Sequence, residues 1–122
     1  MRYRMNQQEK MAVTAYEALD EKKGEDIKII RISEISVMAD YFVIANGGSN
    51  TQVQAMVKNV EEKMHLAGFH VKRVEGNRSS SWVLLDFGDV IVHVFDREDR
   101  LFYDLERIWS DGKMVSVEEL QS

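Results

Sequence analysis

From Trp82 to Phe95 the chain reads WVLLDFGDVIVHVF, two runs of Val, Ile, Leu and aromatic residues around Asp86-Phe87-Gly88-Asp89. β-Branched and aromatic residues suit a pleated surface. Gly88 takes positive φ without steric cost, and Asp86 and Asp89 can bond to nearby backbone, so the pattern predicts a β-hairpin. Alternation along the second run sends Val90, Val92 and Val94 to one face and Ile91, His93 and Phe95 to the other. Both faces are apolar. One must carry helices, and the other is either covered or left for a partner.

The same reading extends over the chain. Ala12, Ala15, Tyr16 and Leu19 recur at helical spacing, which predicts a helix over 6–23, with Asn6 and Glu9 as a capping box and Gly24 as its stop. Ile27–Ile32 and Tyr41–Ala45 read as strands, the second apolar throughout and therefore central, with a loop at 33–40 between them. After Asn46-Gly47-Gly48-Ser49-Asn50 comes a helix to about Ala67. Ser49 and Gln52 cap it, Val53, Met56, Val57, Val60 and Met64 form its stripe, and Gly68 ends it. Phe69–Val74 reads as a short edge strand, followed by a polar loop at 75–81. Beyond the hairpin, short helices are predicted over 97–103 and 105–109, and Ser116 caps a last turn at 118–120.

The order α-β-β-α-β-β-β-α predicts an α+β fold, a mixed and roughly five-stranded sheet with flanking helices. The segment from Tyr41 to Val74 has the length for a parallel crossover. At 122 residues the chain is read as one domain spanning 1–122, with 112–122 a peripheral tail.

Composition narrows the function. With no cysteine there is neither a disulfide nor a thiolate site, which fits a reducing cytoplasm. No run approaches the roughly 18 apolar residues of a membrane span, and MRYRMNQQEK has no apolar core of a secretory signal. The net charge is −5 and no cationic run exceeds two residues, as at Lys72-Arg73, which speaks against a dedicated nucleic-acid site and for a basic protein partner.

Enzymatic signals are weak. The N-G-G-S loop can be read as a phosphate cradle or as a tight strand-to-helix turn. It lacks a Walker lysine and G-x-G-x-x-G spacing, which favours the turn. It also resembles the Gly-Ser loop of nucleotidyltransferases, whose Mg²⁺ chemistry needs paired carboxylates one residue apart on a following strand, and no such pair occurs. A nucleotidyltransferase-like nucleotide-binding enzyme using Ser49 is therefore the alternative reading, and an RNA-binding module a third, disfavoured by the acidic balance. Asp86-Phe87-Gly88 matches a kinase string in a chain too short for that fold. His65, His70 and His93 show no ligand spacing, and His93 reads as structural. Trp82 at the start of the hairpin, Phe87 at its tip and Tyr103 form a trio that pattern alone leaves open between core and an apolar patch at one end of the sheet.

At this hairpin the chain resembles the bacterial ribosomal silencing factors, the Iojap family. The resemblance lies in Trp82–Asp86, G-D-V-I-V-H-V-F at 88–95, and RLFYDLERIW at 100–109. Asp40-Tyr41-Phe42-Val43-Ile44, Gly48-Ser49, Gln52 and Glu75-Gly76 add to it. It implies a nucleotidyltransferase-like sheet without catalytic carboxylates, hence no enzyme, no cofactor and no metal. It implies binding to the large ribosomal subunit through its fourteenth protein, so that the small subunit cannot join and translation is repressed. The family's aromatic and apolar positions carry over as Trp82, Phe87 and Tyr103. Asp86, Asp89 and Asp96 nearby would supply charge complementarity. The resemblance also implies self-association, for which an exposed apolar sheet face would serve as a homodimer contact.

Overall fold

The computed structural model describes residues 5–34, 37, 39–76, 81–98 and 113–121. In chain order the elements are α1 (Gln7–Glu21), β1 (Glu25–Arg31), β2 (Tyr41–Gly47), α2 (Asn50–Leu66), β3 (Arg73–Glu75), β4 (Trp82–Asp86), β5 (Val90–Asp96), β6 (Lys113–Val115) and α3 (Val117–Gln121). The fold is α+β. Its strands form one mixed sheet in the order β3-β4-β5-β2-β1-β6, six rather than about five.

The core of the sheet is the parallel pair β2 and β5, in register from Tyr41 opposite Val90 to Gly47 opposite Asp96. All seven residues of β2 are buried, as its unbroken apolar run predicts. Every other pairing is antiparallel. The crossover through α2 does join strands of like direction. It reaches β3 only after skipping two positions, which the hairpin β4–β5 fills.

Local chemistry sets the element ends. Asn6 Oδ1 accepts the Glu9 N–H at 2.8 Å while the Glu9 carboxylate accepts the Asn6 N–H at 2.9 Å, the full capping box. At the other end of α1 the left-handed residue is Lys23 (φ 61), not Gly24. Gly24 is needed for a different reason: a Cβ there would stand 2.9 Å from the Leu19 carbonyl and 3.0 Å from Met56 Cε. β3 is shorter than Phe69–Val74. Phe69 N–H turns back to the Met64 carbonyl at 2.8 Å, and Phe69 and Val71 pack on the core instead of joining the sheet.

Alternation in β5 divides the interior in two. Val90, Val92 and Val94 join Val43, Ala45, Val83 and Leu85 beneath α1 and α2. Ile91 and Phe95 join Ile30, Ile32, Ala39, Phe42 and Ile44 on the opposite face, with Trp82 and Leu84 partly buried at its margin. Those seven apolar residues are all buried, so this face is not the bare surface through which a second copy was expected to dock. The large apolar side chains that are exposed among the described residues, Val37, Leu66, Val74 and Met114, sit on separate elements.

The last residues are not a peripheral tail. β6 pairs with β1 through Ile29 opposite Val115 and Ile30 opposite Met114, and Leu120 of α3 is buried in the helix-side core. Ser116 Oγ accepts the Glu119 N–H at 3.1 Å, the expected cap. The helices expected over 97–103 and 105–109 fall almost wholly outside the described residues.

Candidate partner-binding surface

The hairpin places the candidate residues at two ends of the sheet. Trp82 opens β4 opposite Phe95, the last but one residue of β5. Its indole stacks on the Phe95 ring, centroids 5.0 Å apart and planes 25° from parallel. The indole Nε1–H donates to His93 Nδ1 at 3.2 Å. Phe42 meets His93 edge-on at 4.7 Å. Trp82 thus keeps part of its surface accessible while its ring is fixed by a stack and a hydrogen bond. Asp96 closes β5 at this same end, its N–H bonded to the Ser81 carbonyl at 2.8 Å.

His93 is 4 % exposed, and burial pushes its pKa down to about 4, so the ring is neutral near pH 7. Because Nδ1 accepts the indole hydrogen, the ring proton is on Nε2, and Nε2 has no hydrogen-bond partner among the described residues.

The turn lies one strand length away, about 13 Å for the four steps from Trp82 to Asp86 at ~3.3 Å each. Gly88 has φ +93, its N–H bonds to Asp86 Oδ1 at 2.7 Å, and Phe87 N–H closes on the Val90 carbonyl at 2.9 Å. Asp89 is exposed and accepts from Gln8 Nε2 at 3.2 Å, while its carbonyl receives the N–H groups of Asp40 and Tyr41. Phe87 does not project from the tip. It is 4 % exposed and belongs to the helix-side core, the face opposite Trp82. The expected single patch therefore separates: Trp82 and Asp96 at one end, and Asp86 and Asp89 at the other on a turn seated by Phe87. Tyr103 lies outside the described residues.

The glycine loop is occupied by its own chain. Ser49 Oγ accepts the Gln52 N–H, as predicted, but the Gln52 side chain does not complete a reciprocal box. Its Oε1 accepts the Gly48 N–H at 2.8 Å, and its Nε2 donates to the Lys22 and Lys23 carbonyls, tying the loop to the end of α1. The cation beside Gly48 is Arg97, whose guanidinium engages Glu25 through two nitrogens. That hydrogen-bonded guanidinium holds the Glu25 carboxyl below its usual range, and Asn46 adds a bond at 2.7 Å. The Gly48 and Gln52 N–H groups, two of the donors a phosphate would use, thus already have partners within the chain. Among the described residues no group of three or more His, Cys, Asp or Glu side chains is arranged to hold a metal. His65 and His70 approach each other, Nδ1 to Nδ1, at 3.0 Å on the exposed end of α2.

The bond from Trp82 to His93 was missed from sequence. The signal was present: on one face of an antiparallel pair, Trp82 lies diagonal to His93 once Trp82 is set opposite Phe95.

The fold is thus an α+β sheet with a partly accessible tryptophan at its rim and a glycine loop tied to the end of α1 by Gln52. The profile of the family described as "Ribosomal silencing factor during starvation" matches residues 5–122, and the chain belongs to that family. The ribosomal silencing factor RsfS of Bacillus subtilis is 40% identical over 114 residues, covering 93% of this chain and 96% of that one. A more distant mouse relative, "Mitochondrial assembly of ribosomal large subunit protein 1", is 33% identical over 96 residues, 75% of this chain and 42% of its own. A crystal structure of a Chromobacterium violaceum protein superposes with a TM-score of 0.81 at 37% identity, covering 88% of each chain. No described helix is long and apolar enough to cross a membrane.

Proposed function

We propose that this protein binds the large ribosomal subunit through its fourteenth protein and, by occupying that face, keeps the small subunit from joining and so represses translation. The action is steric, takes place in the cytoplasm and involves no catalysis. Family membership over nearly the whole chain supports a ribosomal role, and the mouse relative's name points to the large subunit. The observation that carries the reading to particular residues is Trp82, partly accessible and held in one orientation at the sheet's rim. Rigid aromatic side chains of this kind dominate protein interfaces. The net charge of −5 suits a basic ribosomal protein. Trp82 is the anchor, with Tyr103. Asp96 ends β5 at the same end of the sheet as Trp82, and Phe87 seats the turn that presents Asp86 and Asp89.

A binding titration against the isolated fourteenth protein tests this. Trp82→Ala, folded by its circular dichroism, should weaken binding by about 2 kcal/mol, roughly thirtyfold in Kd. Wild-type affinity in that variant removes Trp82 from the contact.

A further inference from the structure

We propose that His93 is a positioning residue for partner binding: its Nδ1 selects which edge of the Trp82 indole faces inward, and so which edge is presented to the partner. This rests on the reading of Trp82 as a contact residue.

The stack on Phe95 fixes the plane of the indole but not its in-plane orientation, because a flipped ring stacks equally well. The hydrogen bond from Nε1 to His93 Nδ1 at 3.2 Å breaks that symmetry. An indole already held in one orientation loses less freedom on binding.

The choice of histidine is otherwise hard to account for. Residue 93 lies mid-strand on an apolar face among Phe42, Phe95 and Trp82. An apolar ring there would bury no polar atom of its own, whereas His93 buries an Nε2 that has no hydrogen-bond partner among the described residues. Set against that cost is the hydrogen bond that Nδ1 accepts from Trp82, which an apolar ring could not make. Burial keeps the ring neutral, so the acceptor persists at ordinary pH.

Two substitutions separate acceptor from packing. His93→Phe keeps a ring and removes the acceptor; His93→Asn places an amide oxygen near the position of Nδ1. The readouts are the Trp82 indole Hε1 resonance, identified by its loss in Trp82→Phe, and affinity for purified large subunits. His93→Phe should shift Hε1 toward the value of an unbonded indole and weaken binding about fivefold, the scale of one side chain's ordering. His93→Asn should bind within about twofold of wild type, on the same scale. In a Trp82→Ala background His93→Phe should change nothing further. Wild-type affinity in folded His93→Phe, or an equal loss in the Trp82→Ala background, overturns the positioning role. Normal binding by Trp82→Ala instead overturns the contact reading beneath it. A measurement on the unaltered protein guards against a variant that does not fold. Imidazole ¹⁵N shifts should report the Nε2–H tautomer of His93, and an Nδ1–H tautomer, unable to accept from Trp82, sinks the proposal.

Discussion

Asn59, buried within α2, donates its amide to the Ala18 carbonyl of α1 at 2.8 Å and to Glu21 Oε1 at 2.9 Å. This polar tie joins the two helices, as Gln52 does at the end of α1. Asn59→Ala should lower stability by about 1–3 kcal/mol through the lost hydrogen bonds. Asn59→Asp should be worse, because it sets a buried carboxylate against a carbonyl oxygen and Glu21. Urea unfolding of the two variants gives the order. An aspartate variant as stable as wild type would show that the tie is not made.

His93 gives stability a defined pH dependence. In the unfolded chain it takes up a proton below its ordinary value of 6.5, but in the fold only near 4. Between those values the unfolded state binds more protons, so its contribution to stability is full above 6.5 and falls as pH drops toward 4. The full loss is about 3 kcal/mol, at ~1.4 kcal/mol per pH unit. Wild type minus His93→Phe should show that slope between pH 6.5 and 4 and flatten above it. Parallel curves for the two proteins would contradict a buried, neutral His93.

Two glycines should fail for different reasons. At Gly68, with φ +92 and no atom of the described residues within 4 Å of where a Cβ would stand, alanine meets only backbone strain, about 1 kcal/mol. At Gly24 the methyl would meet the Leu19 carbonyl at 2.9 Å, a backbone atom that cannot yield without opening the end of α1, and the cost should reach about 2–3 kcal/mol. Thermal unfolding ranks them; a Gly24→Ala protein melting above Gly68→Ala reverses the account.

Phe87 should behave as a core residue. Phe87→Ala is expected to cost about 3–5 kcal/mol of stability through the cavity left beneath the helices. Whatever fraction stays folded should bind ribosomes better than Trp82→Ala does, losing only what the turn carrying Asp86 and Asp89 contributes. Unchanged melting together with lost binding would make Phe87 a direct contact instead.

Much of this was legible in the chain, and the exceptions have physical causes. The alternation of β5 sorted Val90, Val92 and Val94 from Ile91 and Phe95 onto two faces, because successive side chains of a strand point to opposite sides of the sheet. The capping box at Asn6 and Glu9 is local chemistry and was read directly. The split between Trp82 and Phe87 was within reach too: they are five residues apart, an odd offset, and alternation sends such a pair to opposite faces. β6 was not, since Lys113-Met114-Val115 is too short to show a period and becomes a strand only because the edge of β1 is there to pair with. Nor was the filling of the glycine loop, which depends on Gln52 reaching the end of α1 across thirty residues of sequence.

The central claim is mutual exclusion on the large subunit. Its most direct measurement is sedimentation of purified large and small ribosomal subunits with and without the protein, repeated with the folded Trp82→Ala variant. The protein should comigrate with the large subunit and depress formation of whole ribosomes, and the variant should do neither at the same concentration. A protein that stays at the top of the gradient while the subunits join normally would contradict that claim.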